Sequence, residues 1–333
     1  MKIAVIGCGH WGPNLVRNFA SIESVDKVVA VDSNDEALSK IDKSSGKIEL
    51  KKDALKAIED SSINAIVVAT PPETHFDLAK KALEQNKHVF VEKPLALNSK
   101  DSEELIALAD EKKLTLMVGH LMLYHPAIKK LKELVDSGEL GDICYAYSWR
   151  LNLGLYQRNM NVLWDLGPHD ISMLLFLMQK NPLEANCSGR SFFGNRQEDV
   201  IFGNLSFEGD IFCNMHLSWL DPLKVRKMVL VGSKKMAVFD DMHEQKLRLF
   251  DKGVVSQKYF ENIEEWKLGY KTGETIAPKI EDGEPLNIEC NHFVECIETG
   301  KTPLSDGRNG LEVVKVLEAM QNSLEKKGEN VSV

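Results

Sequence analysis

The first 120 residues alternate between short apolar runs and segments with apolar residues at helical spacing, and this alternation limits the fold more than any other feature. Strict alternation of strand and helix is typical of βαβ units, which build a parallel, doubly wound sheet. Predicted strands cover 2–6, 27–32, 65–70, 88–93 and 114–119, and predicted helices cover 14–20, 35–41, 74–86 and 100–112.

After a helix at 126–136 the period changes, and strand follows strand with one inserted helix at 165–178. This pattern predicts an antiparallel sheet with helices on one side. The predicted strands are 142–152, 183–193, 198–208, 210–220, 225–232 and 245–250, and two closing helices cover 287–299 and 307–325. We therefore predict an α/β protein with one domain at 1–121 and a second at 122–333.

Composition excludes several classes of protein. The 333 residues are 43% hydrophobic, enough for two cores, and 41 basic against 50 acidic residues give a net charge of -9 without a basic cluster. Such a chain offers no electrostatic footprint for nucleic acid. The start resembles no signal peptide and the apolar run at 171–178 is too short to span a bilayer, so we expect a cytoplasmic protein without a membrane partner.

Cysteine usage favours reduced thiols, because six scattered cysteines form no Cys-x-x-Cys pair. Cys290, His292 and Cys296 lie close together near the end of the chain. Packing on an amphipathic helix explains them more simply than a zinc site, so no metal is predicted.

"GCGHWG" follows the first predicted strand and contains Gly7, Gly9 and Gly12 in a G-x-G-x-x-G pattern. The first glycine permits a tight turn, the second lets a pyrophosphate approach, and the third lets the helix pack closely. We expect His10 and Trp11, inside this turn, to contact the cofactor too. An ordinary glycine turn is the alternative.

Asp32 ends the second predicted strand, about twenty residues after Gly12, where an acid can bind the hydroxyls of an adenosine ribose. Ser33, Asn34 and Asp35 follow, with no arginine to accept a 2′-phosphate, so NAD is favoured over NADP. The alternative is that Asp32 only caps the next helix.

Two further strand ends fall on the same edge of the predicted sheet. "ATPPETH" places Thr70, Pro71 and His75 there as predicted cofactor contacts, although the prolines could simply stiffen a loop. "VEKP" places Glu92 and Lys93 there, with Lys93 reaching into the crevice.

The chain resembles the glucose-fructose oxidoreductase and inositol dehydrogenase family, Gfo/Idh/MocA. The resemblance covers nearly the whole chain and is carried by the motifs above together with "GHLMLYHPAIKKLKELVDSGELGDI", "WDLGPHDI" and "HFVECIETGKTPLSDGRNGLEVVKVLEAMQNS". It implies a Rossmann domain, then an α/β domain with an open, mostly antiparallel sheet for substrate binding and oligomerisation. It also implies a nicotinamide between the domains.

The resemblance also implies that Lys93, Asp165 and His169 are catalytic and meet the substrate. Residues four apart share a helix face, so Asp165 and His169 can point into one pocket. A histidine can take the hydroxyl proton while a lysine stabilises the developing alkoxide. The alternatives are a core histidine and, for Asp165, a helix cap.

"CYAYSWRLN" alternates between small or polar and bulky side chains. We expect the bulky face to pack on helices and the other face to meet ligand. Arg150 and Asn152 on that face, with Arg158 beyond it, are predicted to bind a phosphate or carboxylate of the substrate, or are otherwise solvated.

"GHLMLYHPA", "RLNLG" and "WDLGPHDIS" resemble the branch that acts on nucleotide-linked amino sugars for polysaccharide biosynthesis, as 3-dehydrogenases of UDP-N-acetylglucosamine or its uronic acid. Alternatives are an NAD(P)H-dependent ketoreductase of a deoxysugar nucleotide, an inositol or sugar dehydrogenase, and a non-catalytic NAD-binding regulator. We also expect a homodimer or homotetramer, because one face of "DIFCNMHLSWL" leaves Phe212 and His216 for another subunit to cover.

Overall fold

The computed structural model describes residues 1–154, 156–157, 159–192, 197–255 and 269–333, and the chain divides into two compact units. The first unit comprises Met1–His125 and Gly283–Glu318, and the second comprises Pro126–Asp282 and Ala319–Val333. This division differs from the predicted domain at 122–333, because residues 283–318 belong to the first unit.

The first unit is built on a six-stranded parallel sheet. Its elements before residue 125 are β1 (Lys2–Ile6), α1 (Gly12–Ser21), β2 (Lys27–Val31), α2 (Asp35–Ser39), β3 (Ile48–Lys51), α3 (Ala54–Glu59), β4 (Ala65–Val68), α4 (His75–Glu84), β5 (His88–Glu92), α5 (Ser99–Lys112) and β6 (Leu116–Gly119). The strand order β3-β2-β1-β4-β5-β6 is the Rossmann arrangement, which confirms the predicted fold class.

Burial explains why the sequence forms this sheet. All four residues of β4 are buried, and the four residues from Ile3 to Ile6 in β1 are buried as well, as expected for parallel strands covered on both faces. Strand β3 and helix α3 are additional to the predicted elements. Every residue of β3 is only half-buried, because β3 lies at the sheet edge, so its sequence carries no clear apolar run.

Two late helices complete the first unit: α8 (Pro285–Thr299) and α9 (Gly307–Glu325), the latter up to Glu318. Phe293 of α8 packs edge-on against Phe19 of α1 and Phe90 of β5, with ring centroids 6.1 and 5.6 Å apart. All three rings are fully buried. This aromatic core is the physical reason that residues 283–318 group with the first unit.

The second unit is built on a nine-stranded sheet. Its elements are α6 (Pro126–Asp136), β7 (Ile143–Leu151), α7 (Val162–Met178), β8 (Glu184–Arg190), β9 (Val200–Phe207), β10 (Ile211–Ser218), β11 (Val225–Gly232), β12 (Met236–Asp240), β13 (Leu247–Val255), β14 (Gly269–Ile276) and β15 (Val331–Ser332). The order is β14-β13-β12-β11-β7-β10-β9-β8-β15, and among the described pairs of this second sheet only β7–β10 is parallel. The predicted mostly antiparallel sheet is therefore confirmed.

The two faces of β7 are the reverse of the prediction. Ala146, Ser148 and Arg150 are buried, whereas Tyr145 and Trp149 are 43% and 40% exposed. Helix α7 packs on this side of β7, where the small side chains of Ala146 and Ser148 fit beneath its large apolar residues and Asp170 of α7 balances the charge of Arg150. The aromatic side chains therefore line the open face of the sheet.

Strand β10 follows the predicted pattern. Cys213, Met215 and Leu217 are fully buried, and Phe212 on the other face is 45% exposed. No helix among the described residues is both long enough and apolar enough to cross a membrane.

Candidate active site

The glycine turn after β1 has the geometry that a dinucleotide requires. Gly7 has a φ of +97°, and a Cβ there would lie 2.5 Å from the Ala69 carbonyl oxygen. A Cβ on Gly12 would lie 2.0 Å from the Gly7 carbonyl oxygen, whereas Gly9 faces open space within 4 Å. Gly7 and Gly12 are therefore needed for close packing, and Gly9 leaves room for a pyrophosphate at the N-terminus of α1.

Asp32 binds backbone groups of two loops at the end of β2. Its carboxylate accepts hydrogen bonds from the Cys8 N–H at 2.7 Å and the Asn34 N–H at 2.8 Å. Asn34, not Asp32, caps α2, because the Asn34 side chain accepts the Glu36 N–H at 2.9 Å. The alternative role of Asp32 as a helix cap is therefore wrong. A carboxylate has about four acceptor positions, so ribose hydroxyls can still bind.

Trp11 connects the glycine turn to the end of β5. Its indole Nε1 donates to Glu92 Oε1 at 2.9 Å, and the Lys93 N–H donates to Glu92 Oε2 at 3.3 Å. A Cβ on Gly119 would lie 3.0 Å from the Glu92 carboxyl, so the side chain lies against the neighbouring strand end. Burial raises the pKa of Glu92 to about 7, although the Lys93 ammonium opposes that shift.

Lys93 lies directly after β5, half-buried, and the Lys93–Pro94 peptide is cis. Since β1, β2, β4 and β5 are parallel, their carboxyl ends share one edge. That edge brings together the glycine turn, Asp32, Thr70, Glu92 and Lys93, all predicted for the site.

The segment after β4 differs in part from the prediction. Thr70 is half-buried and Pro71 exposed, but His75 is 1% exposed. Its Nδ1 lies 2.7 Å from the Pro94 carbonyl oxygen and its Nε2 2.9 Å from the Thr70 carbonyl oxygen. Both ring nitrogens therefore face backbone carbonyls of the protein, which corrects the prediction that His75 contacts the cofactor. His10, in contrast, is exposed at the glycine turn.

Two buried titratable residues near this edge were not predicted. His120 follows β6, is 1% exposed, and its Nδ1 lies 2.8 Å from Asn309 Oδ1, which requires an N–H at Nδ1. Its Nε2 is buried without a partner in the part of the chain that the structure describes. Burial lowers the pKa of His120 to about 4, so the ring is neutral at physiological pH.

Glu289 of α8 is the second buried group. It is fully buried, and neither carboxyl oxygen has a hydrogen-bond partner among the described residues. Burial, and then the neighbouring charge of Glu92, raise the pKa of Glu289 well above its usual range. Sequence signals existed for both groups: a histidine immediately after a strand at the ligand edge, and an acid on the apolar face of a helix.

Helix α7 of the second unit carries Asp165 and His169, both half-buried. Asn161 caps this helix by accepting the Trp164 N–H at 3.3 Å, so the alternative role of Asp165 as a cap is wrong. The Trp219 indole Nε1 donates to Asp165 Oδ2 at 3.0 Å. The Asp165 carboxylate is thereby held from the end of β10.

Arg150 pairs with a different residue of α7. Its Nε donates to Asp170 Oδ2, and both side chains are almost fully buried. The alternative of a solvated Arg150 is therefore wrong, because the guanidinium is buried and its charge is balanced. Asn152 is exposed, and Arg158 lies outside the described residues.

No group of three or more His, Cys, Asp and Glu side chains that could hold a metal ion occurs within the described ranges. His292 Nε2 accepts the Leu304 N–H at 3.0 Å, and Cys290 and Cys296 are buried. This geometry agrees with a packing role for these three residues.

Comparisons with known proteins agree with the fold. Residues 1–120 match a family model described as an oxidoreductase family with an NAD-binding Rossmann fold, and residues 128–238 match the GFO/IDH/MocA C-terminal domain. A UDP-N-acetylglucosamine 3-dehydrogenase from Acidithiobacillus ferrooxidans is 23% identical over 94% of this chain and 94% of its own. A scyllo-inositol 2-dehydrogenase (NAD(+)) from Bacillus subtilis is 23% identical over 91% of this chain and 88% of its own.

The solved structure of UDP-N-acetylglucosamine 3-dehydrogenase from Acidithiobacillus ferrooxidans has a TM-score of 0.81 against this chain. It is 22% identical, and the superposition covers 98% of both chains. At this identity the likeness shows the shared fold.

Proposed function

The chain belongs to the Gfo/Idh/MocA oxidoreductase family, and from this premise we propose that it is an NAD-dependent dehydrogenase of a nucleotide-linked amino sugar. The reacting group is a secondary hydroxyl, at C3, of UDP-N-acetylglucosamine or its uronic acid. The observation that carries the proposal is the position of Lys93 on the same sheet edge as the glycine turn and Asp32.

The cofactor part of the proposal rests on Asp32 and the turn before it. The family model describes an NAD-binding Rossmann fold, and an acid directly after the second strand, the position of Asp32, binds ribose hydroxyls in many such folds. Ser33, Asn34 and Asp35 provide no cation for a 2′-phosphate. We therefore propose NAD rather than NADP, with the nicotinamide as hydride acceptor when bound.

The proposed proton chemistry uses Lys93 and His169. Hydride loss from an alcohol requires that the hydroxyl proton leave, and neutral histidine is a suitable base near neutral pH. The Lys93 ammonium stabilises the developing negative charge on the oxygen. Asp165, held by Trp219, orients the substrate, and the exposed Asn152 is a proposed substrate contact. Arg150 is not part of this proposal, because Asp170 already binds it.

Support for the substrate class comes from sequence likeness. The UDP-N-acetylglucosamine 3-dehydrogenase aligns over nearly the full chain, and the motifs around His120 and Asp165 resemble that branch. Leu121 and Met122 stand where many relatives have a basic pair, which disfavours a sugar-acid or inositol substrate that contacts this point.

A hydride-transfer screen tests the function. Purified protein receives NAD with UDP-N-acetylglucosamine, its uronic acid and inositols, and receives NADH with keto-sugar nucleotides. We expect NADH formation with the amino sugar nucleotides and a loss of about 100-fold or more in Lys93→Ala and His169→Ala. Lys100→Ala and His243→Ala, at exposed positions, should retain turnover.

Other outcomes of this screen would identify one of the alternative functions. Turnover of keto sugars with NADH alone indicates a deoxysugar ketoreductase, and turnover of inositols indicates the inositol branch. NADH binding without turnover of any of these compounds indicates a regulator.

We also propose that a second copy covers the open face of the nine-stranded sheet. Phe202 and Phe212 are 49% and 45% exposed there, next to the exposed Tyr145 and Trp149. Contiguous exposed aromatic surface marks an interaction site. A monomer at micromolar concentration in analytical ultracentrifugation would contradict this proposal.

A further inference from the structure

His75 is the first residue of α4 and is almost completely buried at the ligand edge of the parallel sheet. Its ring lies between two backbone carbonyls, with Nδ1 2.7 Å from the Pro94 oxygen and Nε2 2.9 Å from the Thr70 oxygen. Backbone carbonyls only accept hydrogen bonds, so the imidazole is the donor: a neutral ring donates to one of the two carbonyls, and an imidazolium donates to both.

The two carbonyls belong to the loops that follow neighbouring strands. Thr70 follows β4 by two residues, and Pro94 immediately follows Lys93 at the end of β5. Strands β4 and β5 pair in parallel with Val68 opposite Val91. His75 therefore joins the loop of a proposed cofactor contact to the residue next to the proposed catalytic lysine.

The loop that carries His75 is itself held by short hydrogen bonds. Thr70 Oγ1 and Thr74 Oγ1 lie 2.6 Å apart, and the Thr74 hydroxyl donates to the Pro71 carbonyl at 2.8 Å. These contacts fix the start of α4 relative to Thr70. His75 thus transmits the position of this loop to the backbone at Pro94.

We propose that His75 is a positioning residue that holds Lys93 in place through the Pro94 carbonyl and makes the placement of Lys93 depend on the loop after β4. The proposal rests on the proposed role of Lys93. Displacement of a reacting group by about 1 Å can cost about 100-fold in rate, so a small movement at Pro94 has a large consequence.

Lys93 and Glu73 are the charged groups that influence the pKa of His75. Burial is the largest influence and lowers the pKa of His75; the Pro94 and Thr70 carbonyls raise it, the nearby Lys93 lowers it, and Glu73 raises it. A neutral ring carries one N–H and an imidazolium carries two. The Nδ1–Pro94 distance is the shorter of the two, so the proposal places the single proton of the neutral ring on Nδ1, which donates it to the Pro94 carbonyl.

The test compares His75→Gln with His88→Gln. His88 lies at the opposite end of β5, half-buried, and its Nδ1 accepts the Thr115 N–H at 3.0 Å. Both variants replace an imidazole with a carboxamide next to the same strand, so His88→Gln controls for general loss of stability. We expect His75→Gln to lower kcat about 10- to 100-fold with the Kd for NADH changed less than about threefold. His88→Gln should change neither.

A second measurement needs no turnover. Competitive labelling with acetic anhydride, analysed by mass spectrometry, reports the reactivity of the Lys93 amine. We expect His75→Gln to change that reactivity by about threefold or more, because the amine is displaced, and His88→Gln to leave it unchanged. Unchanged labelling and unchanged kcat in a folded His75→Gln protein would overturn the proposal.

If His75→Gln does not fold, the same coupling can be tested by changing Lys93 and observing His75 by nitrogen-15 NMR of histidine-labelled protein. Coupling between two sites is reciprocal, so Lys93→Met should shift the ring nitrogen signals of His75 but not those of His88. Unshifted His75 signals would overturn the proposal. Labelling and NMR both remain informative if the sugar screen fails, so failure of the proposed function can be distinguished from failure of this inference.

Discussion

The indole of Trp11 donates to the carboxyl of Glu92 across 2.9 Å, so one side-chain hydrogen bond joins the glycine turn to the end of β5. Trp11→Phe keeps the ring and removes the donor. Because this N–H lowers the pKa of Glu92, its loss should raise that pKa above about 7. We expect the free energy of unfolding in urea to fall by about 1–2 kcal/mol. Lys100→Ala, at an exposed position, should change it by less than about 0.5 kcal/mol, and equal effects of the two variants would contradict the prediction.

His120 predicts a pH dependence of stability. Burial lowers its pKa from 6.5 to about 4, so between these values the unfolded chain binds more protons than the folded one. The contribution of neutral His120 to the free energy of unfolding is therefore fully present above pH 6.5 and is lost as the pH falls towards 4. It amounts to at most about 3 kcal/mol.

The measurement is urea unfolding of wild type and His120→Gln at several pH values. Glu92 and Glu289 have raised pKa values and contribute with the opposite sign, so only the difference between the two proteins isolates His120. That difference should shrink between pH 6.5 and pH 4. Parallel curves would show that His120 does not titrate as the structure implies.

Breaking the buried pair of Arg150 and Asp170 should destabilise the protein far more than breaking an exposed ion pair. Asp170→Asn leaves the guanidinium buried without a counter-charge, which typically costs about 3–5 kcal/mol. Calorimetry should show a strongly lowered melting temperature for this variant. Glu36→Gln breaks an exposed pair with Lys40 and should have no measurable effect. A small effect of Asp170→Asn would mean that the pair is hydrated.

Asp32 predicts cofactor choice. Asp32→Ala should weaken NADH binding about 10- to 100-fold, because hydrogen bonds to a charged group are worth about 1.5–3 kcal/mol. The ratio of the affinity for NADH to the affinity for NADPH should fall as well. Fluorescence titration with both cofactors measures this. Asp53→Ala removes a helix cap elsewhere in the same unit, where Asp53 accepts the Lys56 N–H, and should leave NADH affinity unchanged. Tighter NADH binding by Asp32→Ala would refute the ribose contact.

The parallel sheet was largely predictable, because its central strands are buried on both faces and appear as continuous apolar runs. The motif spacing also placed Asp32, Glu92 and Lys93 correctly at strand ends. Strand β3 was missed because an edge strand is only half-buried.

The remaining errors concern distant partners. Alternation in β7 correctly separated two faces, but a local period does not say which face a helix will cover. Arg150 is balanced by Asp170, twenty residues away, and His75 Nδ1 contacts the Pro94 carbonyl in another loop. Such pairings depend on how the elements pack, so composition and spacing do not reveal them.

The position of Phe293 also has a consequence for how this protein is made. During translation Phe90 leaves the ribosome about two hundred residues before Phe293, and Phe19 leaves earlier still, although Phe293 packs against both rings. The nascent first unit therefore presents an uncovered aromatic surface until α8 has been synthesised, a situation in which chaperones commonly act. A fragment ending at His125, although it contains every strand of the parallel sheet, should aggregate when expressed alone.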